Sequence, residues 1–511
     1  MLRTIYRATQ TSARIGNTAR LLAVRHASSG KVLTIETMHP LIKQAEYAVR
    51  GALPIRAEAL SKQLKTDKTL GFDRVVFCNI GNPQQLNQKP ITFFRQVASL
   101  CENPELLKAE NRETLSKLYP ADAISRAELL LKNIGSIGAY SHSKGIPAIR
   151  ENVAKFIERR DGYPANPDHI FLTQGASSGV QTVIQMLTEH NKTGIMIPIP
   201  QYPLYSATLS LVDAVPVEYY LNEKAAWGLD IADLKRSVDS SRAKGVDVRA
   251  LVIINPGNPT GQCLTEENMR QIIDFCHQER LVLLADEVYQ TNIYQPESRP
   301  FHSFKKVLRS MGEKYHNQEL FSFHSTSKGM VGECGRRGGY LECVNIDEAV
   351  LEQLYKIASI SLCPNVHGQI MVDLMTNPPV EGDESYPQYK SEVDAIFGSL
   401  KRRAAKLAAC FNNLEGATCN EAEGAMYLFP RITLSSKAIA AAKDAGMAPD
   451  AFYAMAMLES TGVCVVPGSG FGQESNTWHF RSTFLPEEHL FDDFCDKIVK
   501  FHKQFMGKYR D

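Results

Sequence analysis

Residues 250–289 read ALVIINPGNPTGQCLTEENMRQIIDFCHQERLVLLADEVY, and this stretch decides the fold class. Two apolar runs, at 250–255 and 281–285, predict buried strands. Between them a helix is predicted over 265–280, because Thr265 is a good N-cap and two glutamates follow it in the first turn. A strand, a helix and a second strand in this order are typical of an α/β protein with a mostly parallel sheet.

The same alternation extends on both sides of this stretch. Seven strands are predicted, over 169–173, 194–199, 216–220, 250–255, 281–285, 320–324 and 339–344. Proline, glycine and acidic residues accumulate over 363–386, and a long basic helix is predicted over 392–412. This change in composition indicates a second domain in the C-terminal part of the chain.

The composition is that of an ordinary globular protein and excludes several functional classes. Of the 511 residues, 44% are hydrophobic and 22% are charged, and 57 basic against 56 acidic residues give a net charge of +1. This balance argues against a nucleic-acid-binding surface, and no apolar run reaches the roughly 18 residues of a membrane span. The eleven cysteines form no C-x-x-C pair, which favours a reducing compartment and offers no metal site.

The first thirty residues differ from the rest of the chain. They contain five arginines, at positions 3, 7, 14, 20 and 25, and the first acidic residue of the chain is Glu36. This composition is typical of a mitochondrial transit peptide, predicted over 1–29, and indicates the mitochondrial matrix. A disordered basic tail is the alternative. Without these arginines, 52 basic residues stand against 56 acidic residues, so the net charge of the remainder is −4.

Polar side chains that could carry chemistry follow the predicted strands, where an open α/β sheet usually binds its ligand. Asn258 lies in the loop N-P-G-N-P-T-G at 255–261, which two prolines make rigid. Asp286 directly follows the strand 281–285, and a carboxylate there is unfavourable unless a positive group meets it. A plain turn for the loop and a helix N-cap for the aspartate are the alternatives to a functional role.

Lys328 lies in a motif that also follows an apolar strand. It lies in the sequence S-T-S-K-G at 325–329, and two arginines, Arg336 and Arg337, follow a short loop later. This arrangement suits a lysine that forms a Schiff base beside a phosphate site. A solvated lysine in a flexible loop is the alternative.

The pattern S-x-x-K also occurs in penicillin-recognising enzymes, where K-T-G is a further motif. In this chain K-T-G, at 192–194, precedes S-x-x-K, and no S-D-N occurs. Ser325 directly follows the predicted strand 320–324, whereas that class requires a helix at this point. The order and the context therefore disfavour a penicillin-recognising enzyme.

Five motifs, taken in order, resemble the fold-type I aminotransferases, which use pyridoxal phosphate. The motifs are G-A-S-S-G at 175–179, N-P-G-N-P-T-G at 255–261, A-D-E-V-Y at 285–289, S-T-S-K at 325–328 and G-x-R-G-G at 335–339. The resemblance extends over 79–481. Further motifs resemble the alanine aminotransferase family: N-I-G-N-P-Q at 79–84, P-I-T-F-F-R at 90–95, Y-S-H-S at 140–143, K-G-x-x-G-E-C-G at 328–335 and W-H-F-R at 478–481.

The resemblance implies a fold and an activity. The fold is α/β, the pyridoxal-phosphate-dependent transferase fold type I, with a mostly parallel seven-stranded sheet between helices and a smaller α/β domain. The expected boundaries are 30–110 for the N-terminal arm and part of the small domain, 111–385 for the large domain and 386–511 for the rest of the small domain. The implied activity is a reversible, ping-pong amino transfer between L-alanine and 2-oxoglutarate in a homodimer.

The resemblance also implies roles for the matching residues. Lys328 would bind the pyridoxal 5'-phosphate cofactor covalently and move the proton at the substrate Cα. Asp286 would keep the ring nitrogen of the cofactor protonated. Asn258 and Tyr289 would donate hydrogen bonds to its phenolic oxygen, and Tyr202 would stack on its ring.

The phosphate of the cofactor would lie at a helix N-terminus among hydroxyl and guanidinium groups. The residues implied are Ala176, Ser177, Ser178, Ser325, Ser327 and Arg337, with Tyr140 reaching the phosphate of the neighbouring subunit. Arg336, eight positions after Lys328, is adjacent to Arg337. The spacing of alanine aminotransferases, in which this arginine lies nine positions after the lysine, favours Arg337. Arg481 would hold the substrate α-carboxylate as a bidentate pair, with the backbone of Gly81 beside it.

Other functions stay open at this point. They are a transaminase for a different amino acid, an aminocyclopropane-carboxylate synthase-like lyase and a catalytically silent regulator with the same fold. An intact lysine, aspartate and arginine pair argue against a silent protein. The sequence offers no second arginine for the distal carboxylate of glutamate, so the basis for accepting both alanine and glutamate stays open too.

Overall fold

The structure, a computed structural model, describes residues 31–47, 49 and 51–511. Its backbone contacts divide the chain into two units, with the division after Glu46. The described part of the first unit contains the short helix α1, Pro40–Gln44, whose N-cap His39 accepts a hydrogen bond from the backbone N–H of Leu41. The transit peptide predicted over 1–29 lies outside the described residues.

The strands belong to the second unit, residues 47–511. In chain order they are β1 Val76–Phe77, β2 Ile170–Thr173, β3 Thr193–Ile199, β4 Val215–Asn222, β5 Gly228–Leu229, β6 Asp247–Ile254, β7 Val282–Asp286, β8 Leu320–Ser325, β9 Gly339–Val344, β10 Ala417–Thr418, β11 Tyr427–Leu428, β12 Arg431–Ile432, β13 Val463–Cys464, β14 Val466–Pro467 and β15 Trp478–Thr483. All seven predicted strands are present, as β2, β3, β4 and β6 to β9.

The largest sheet has the strand order β2-β9-β8-β7-β6-β3-β4-β5. Its central neighbours, from β8 to β4, pair in parallel, whereas β9 is antiparallel to both β2 and β8. The α/β class with a mostly parallel sheet is therefore confirmed. The sheet has eight strands where seven were predicted, because β5, two residues long and antiparallel to β4, is too short to show an apolar pattern.

The helices of the second unit continue the numbering. They are α2 Ala52–Gln63, α3 Thr92–Glu102, α4 Arg112–Leu115, α5 Ala121–Ile134, α6 Pro147–Asp161, α7 Ala176–Leu187, α8 Leu204–Leu211, α9 Ile231–Ala243, α10 Glu266–Glu279, α11 Phe304–Ser310, α12 Glu348–Ile360, α13 Val366–Thr376, α14 Tyr386–Asn412, α15 Ser436–Asp444, α16 Pro449–Thr461 and α17 Phe491–Lys508.

Two of the predicted helices can be compared directly with the structure. The prediction over 265–280 is confirmed by α10, and the Thr265 hydroxyl accepts a hydrogen bond from the backbone N–H of Asn268. The prediction over 392–412 begins too late, because α14 starts at Tyr386. Pro387 lies in its first turn, where a proline is tolerated since the first N–H groups have no partner in the helix.

A second sheet lies in the C-terminal part of the chain, with the order β10-β12-β15-β11 and with β14 also paired to β15. All of these pairs are antiparallel. The N-terminal strand β1 pairs in parallel with β13. This pairing of an N-terminal with a C-terminal segment supports a small domain built from both, and the boundaries 30–110, 111–385 and 386–511 stay a prediction.

The large sheet positions the polar motifs at one edge. β6, β7 and β8 are parallel neighbours, so their carboxyl ends lie side by side. β6 ends directly before the loop 255–261, β7 ends with Asp286, and β8 ends with Ser325, three residues before Lys328. Apolar clusters pack against these buried strands. No helix in the described ranges is long and apolar enough to cross a membrane.

Candidate active site

A pocket of about 460 Å³ opens where the carboxyl ends of these strands meet. Most of the predicted site residues line it: Gly81, Ala176, Ser177, Tyr202, Asn258, Asp286, Tyr289, Ser325, Ser327, Lys328, Arg337 and Arg481. Two predicted residues do not. Ser178 points its hydroxyl at the carbonyl of Gly175, 3.1 Å away, and Tyr140 lies on the surface, where 78% of it is exposed.

Asp286 is the buried carboxylate of this pocket. Its Oδ2 accepts a hydrogen bond from the Tyr205 hydroxyl at 2.8 Å, and its Oδ1 has no partner among the residues that the structure describes. Burial raises the pKa of Asp286 to about 6, although the Tyr205 bond, the Val288 backbone N–H and the charge of Lys328 oppose the rise. The free oxygen can therefore accept a hydrogen bond from a cationic N–H group of a ligand.

Lys328 presents its amine to the same space. Its Nζ donates a 2.8 Å hydrogen bond to the carbonyl of Gly81 and lies 6.0 Å from the centre of the Tyr289 ring. Gly81 packs so closely against it that an added Cβ would lie 3.0 Å from Nζ. The backbone of the N-terminal loop thus holds the amine in the pocket.

The N-terminus of α7 forms the side of the pocket that could hold an anion. Ala176 and Ser177 are its first residues, and the first N–H groups of a helix point outward without a partner in the helix. The preceding residue, Gly175, has a φ of +77°, and an added Cβ would overlap the guanidinium of Arg337. Arg337 donates from Nη1 to the Cys334 carbonyl at 2.9 Å and from Nη2 to the Gln174 carbonyl at 3.1 Å.

Of the two adjacent arginines, Arg336 and Arg337, the second lines the pocket and the first does not. Arg337 lines the pocket, and its Nη1 lies 3.4 Å from the hydroxyl of Ser327. Arg336 does not line it, and its Nε lies 4.0 Å from the carboxylate of Glu333. The geometry therefore favours Arg337 as the phosphate-binding arginine.

Arg481, on β15, is 1% exposed. Its Nη1 donates a 2.8 Å hydrogen bond to Oδ1 of Asn258, and its Nη2 donates to the carbonyl of Asn79. Its Cζ lies 4.2 Å from the ring centre of Tyr427 and 4.7 Å from that of Phe471. A guanidinium oriented in this way suits a planar carboxylate. The bond to Asn258 leaves the amide Nδ2 of that residue available as a donor.

Four functional candidates were not predicted from the sequence: two line the pocket, Tyr47 and Tyr427, and two contact residues that line it, Tyr205 and Asn79. Tyr205 holds Asp286, and Asn79 holds Arg481. Tyr427 lines the pocket beside Lys328. The hydroxyls of Tyr47 and Tyr202 form a 2.7 Å hydrogen bond. Two of the four lie in segments that the sequence singled out, Tyr205 in the same P-Q-Y-P-L-Y segment as Tyr202 and Asn79 in N-I-G-N-P-Q at 79–84.

These residues fit pyridoxal 5'-phosphate. An amine is present for its aldehyde, and the helix N-terminus with Arg337 is present for its phosphate. The orphaned, buried Oδ1 of Asp286 is present for its ring nitrogen. The described part of the chain contains no group of acidic, histidine and cysteine side chains that could hold a metal ion.

Comparison with known proteins also indicates an aminotransferase. The model of the family "aminotransferase class I and II" matches residues 104–498. A probable mitochondrial alanine aminotransferase of Dictyostelium discoideum is 54% identical, over 94% of this chain and 90% of its own length. Human alanine aminotransferase 1 is 49% identical, over 96% of this chain and 98% of its own length.

Solved structures share the fold at low identity. An alanine aminotransferase from Pyrococcus furiosus aligns with a TM-score of 0.70 at 22% identity, over 91% of this chain and 100% of its own. An aminotransferase from Escherichia coli aligns equally well, also at 22% identity, over 92% of this chain and 98% of its own. The likeness shows that the fold is that of the fold-type I transferases.

Proposed function

Since the chain belongs to the family of class I and II aminotransferases, we propose that it transfers the amino group of L-alanine to 2-oxoglutarate, giving pyruvate and L-glutamate. It is a transferase that depends on pyridoxal phosphate. The observation that carries the substrate assignment is the identity of about half to relatives named alanine aminotransferases over nearly the whole chain. The pocket supports the reaction class through Lys328, Asp286 and Arg481.

The cofactor, when bound, supplies an electron-withdrawing ring that stabilises negative charge at the substrate Cα. Asp286 would hold its ring nitrogen through the free Oδ1, and Arg337 with the α7 N-terminus would hold its phosphate. Asn258 and Tyr289 lie on the pocket wall and would donate to its phenolic oxygen, the Tyr289 hydroxyl then donating to the cofactor instead of to the hydroxyl of Tyr427. Tyr202 would lie against its ring.

The remaining residues act on the substrate. Arg481 would bind the α-carboxylate with its guanidinium, which orients the Cα–H bond. Lys328 would take the proton from Cα as general base and return it to the cofactor carbon as general acid. Both amino and 2-oxo acids carry the same α-carboxylate, so one site can serve both halves of a ping-pong reaction.

A second acceptor is favoured by a specific observation. Two glutamate–glyoxylate aminotransferases of Arabidopsis thaliana are each 51% identical to this chain over 98% of their own length. Identity alone therefore does not separate pyruvate from glyoxylate as the preferred partner of glutamate.

The test is a donor and acceptor profile of the purified, cofactor-loaded protein. We expect the highest kcat/KM for L-alanine with 2-oxoglutarate and for L-glutamate with pyruvate. A higher value with glyoxylate would move the assignment to the second candidate, and a preference for aspartate or an aromatic donor would contradict both. Lys328→Ala is the control, because it should lose turnover with every substrate pair.

We further propose a homodimer whose partner contributes Tyr140 to the phosphate site. Support comes from the exposure of this tyrosine, 78%, far above that of the pocket residues. Mixing the variants Lys328→Ala and Tyr140→Ala tests it. If sites are shared, each hybrid dimer has one complete site of its two, and half of the dimers in a random 1:1 mixture are hybrids, so the mixture should regain about one quarter of the wild-type activity. Variants that do not complement each other would contradict the shared site.

We also propose that the protein is located in the mitochondrial matrix. Support comes from the basic leader and from the mitochondrial forms among the relatives, including those of Dictyostelium and Arabidopsis. A fluorescent fusion should enter mitochondria with residues 1–29 and stay outside without them. Mitochondrial uptake of the truncated fusion would contradict the targeting role of this segment.

A further inference from the structure

Tyr427 lines the pocket together with Lys328 and Arg481, although it belongs to no motif of the sequence. Its side chain is 2% exposed. It belongs to the two-residue strand β11, which pairs with β15. Arg481 lies on β15, so strand pairing brings the tyrosine and the arginine together.

The ring of Tyr427 contacts the guanidinium of Arg481. The Cζ of Arg481 lies 4.2 Å from the ring centre, within the range of a cation–π interaction. Phe471 provides a second ring, 4.7 Å from the same atom. Both rings are buried, so the orientation of the guanidinium depends on aromatic packing as well as on its hydrogen bonds.

The hydroxyl of Tyr427 lies near the hydroxyl of Tyr289 and the amine of Lys328. It accepts a 3.0 Å hydrogen bond from the hydroxyl of Tyr289. It also shares the space beside Gly81 with the amine of Lys328, because a Cβ added to Gly81 would overlap the hydroxyl and lie 3.0 Å from Nζ. Burial raises the pKa of Tyr427. The charges of Lys328 and Arg481 and the hydrogen bonds at the hydroxyl outweigh that effect, and the pKa is lowered overall.

We propose that Tyr427 is a positioning residue of this active site, with its ring fixing Arg481 and its hydroxyl fixing the amine of Lys328. The proposal rests on the proposed function, because it assigns the arginine to the substrate carboxylate and the lysine to the proton at Cα. The two contacts use different parts of one side chain. They can therefore be removed separately.

Two variants separate the contacts. Tyr427→Phe keeps the ring and removes the hydroxyl, so we expect kcat to fall about tenfold with KM changed less than about twofold. Tyr427→Leu removes the ring as well, so KM for L-alanine should also rise about tenfold. Tyr453→Phe is the matched control, because Tyr453 is equally buried and its hydroxyl bonds to His502, outside the pocket.

Binding of 2-methylalanine, which has no Cα–H bond, reports on Arg481 without turnover. Its dissociation constant should stay within about twofold of wild type in Tyr427→Phe and rise about tenfold in Tyr427→Leu. Equal weakening in both variants, or none in either, would overturn the role of the ring. Far-ultraviolet circular dichroism establishes that each variant is folded.

Acetylation of Lys328 by acetic anhydride in the cofactor-free protein, followed by mass spectrometry, reports on the hydroxyl. If the Tyr427 hydroxyl holds the amine of Lys328 in place, the amine is less free to attack the anhydride, so Tyr427→Phe should be acetylated severalfold faster than Tyr453→Phe. Equal rates would overturn the proposal. A wild-type protein without transaminase activity would overturn the proposed function instead, and the acetylation result would still stand by itself.

Discussion

The hydroxyl of Tyr205 donates a 2.8 Å hydrogen bond to Oδ2 of Asp286, and both side chains are buried. Tyr205 lies in α8, on the polypeptide between β3 and β4, whereas Asp286 ends β7. The bond favours the ionised carboxylate, which burial disfavours. Tyr205 thus helps to keep Asp286 charged, the carboxylate that lines the pocket among the residues that the structure describes.

Tyr205→Phe should weaken cofactor binding. Without the bond, the pKa of Asp286 rises further above about 6, so the carboxylate is protonated over a wider pH range. A lost hydrogen bond to a charged group corresponds to a loss in affinity of roughly tenfold or more. Titration of the cofactor-free protein with pyridoxal phosphate between about pH 5.5 and 8 checks this, and the loss should be largest at the acid end.

Tyr219→Phe is the control for this experiment. Its hydroxyl is buried too and donates a 2.7 Å hydrogen bond to the carbonyl of Val252, an uncharged acceptor. Equal cofactor affinities in the two variants, at every pH, would show that the Tyr205 bond does not act through the charge of Asp286.

Asp286→Asn should stabilise the cofactor-free protein. The pKa of Asp286 is about 6 in the folded protein, whereas an ordinary aspartate has a pKa of 3.8, so the unfolded chain releases this proton first. The stability that the protonated form contributes is therefore present below about pH 4 and lost as pH rises through about 6. Asparagine does not ionise, so at pH 7.5 the free energy of unfolding should rise by up to about 3 kcal/mol.

Urea denaturation of both cofactor-free proteins at pH 7.5 and at pH 4.5 measures this difference. The gain should be clear at the higher pH and small at the lower pH, and the variant should bind pyridoxal phosphate poorly. A variant that is less stable than the wild type at pH 7.5 would show that Asp286 carries no desolvation cost in this fold.

The polar motifs of the site could be predicted because each follows an apolar strand directly. Asn258, Asp286 and Lys328 come together simply because β6, β7 and β8 are parallel neighbours. An apolar run reveals where its strand ends, and parallel strands bring those ends to one edge. Strand β5 was missed, because two residues show no periodicity.

The contacts around Arg481 could not be predicted in the same way. Tyr427 belongs to a strand of two residues, and its place beside the arginine depends on antiparallel pairing with β15. Asn79 contacts the arginine through its backbone carbonyl, which carries no side-chain signal.

The bond between Tyr205 and Asp286 could not be predicted either. Tyr205 and Tyr202 share one segment, and only the packing of α8 against the sheet determines that Tyr205 reaches Asp286.

Arg337→Ala should release the cofactor, whereas Arg336→Ala should not. Arg337 lines the phosphate side of the pocket, and losing its charged hydrogen bonds should weaken pyridoxal phosphate roughly 100-fold. Arg336 contacts Glu333 at 4.0 Å outside the pocket, so its removal should change the affinity by less than about threefold. Equilibrium dialysis of both variants gives the comparison, and a reversed order would assign the phosphate to Arg336.

Gly81→Ala should impair turnover through Tyr427 and Lys328. An added Cβ would overlap the hydroxyl of Tyr427 and lie 3.0 Å from Nζ of Lys328. The ring of Tyr427 has little room to yield, because it is buried against Arg481. We expect kcat/KM for L-alanine to fall roughly 100-fold, about the cost of a displacement near the chemistry. Gly71→Ala is the control, because among the described residues its Cβ would come within 4 Å of the Ser460 carbonyl oxygen alone, at 3.9 Å.

The double variant Gly81→Ala with Tyr427→Phe identifies the cause of this loss. Phenylalanine removes the atom that the new Cβ would overlap, although the ring carbon that carried it stays 3.1 Å away. Part of the clash is then relieved, so kcat/KM should be higher in the double variant than in Gly81→Ala alone. Contacting residues are expected to couple in this way. If the two losses simply multiply, the Cβ acts through Lys328 or the N-terminal loop instead of through Tyr427.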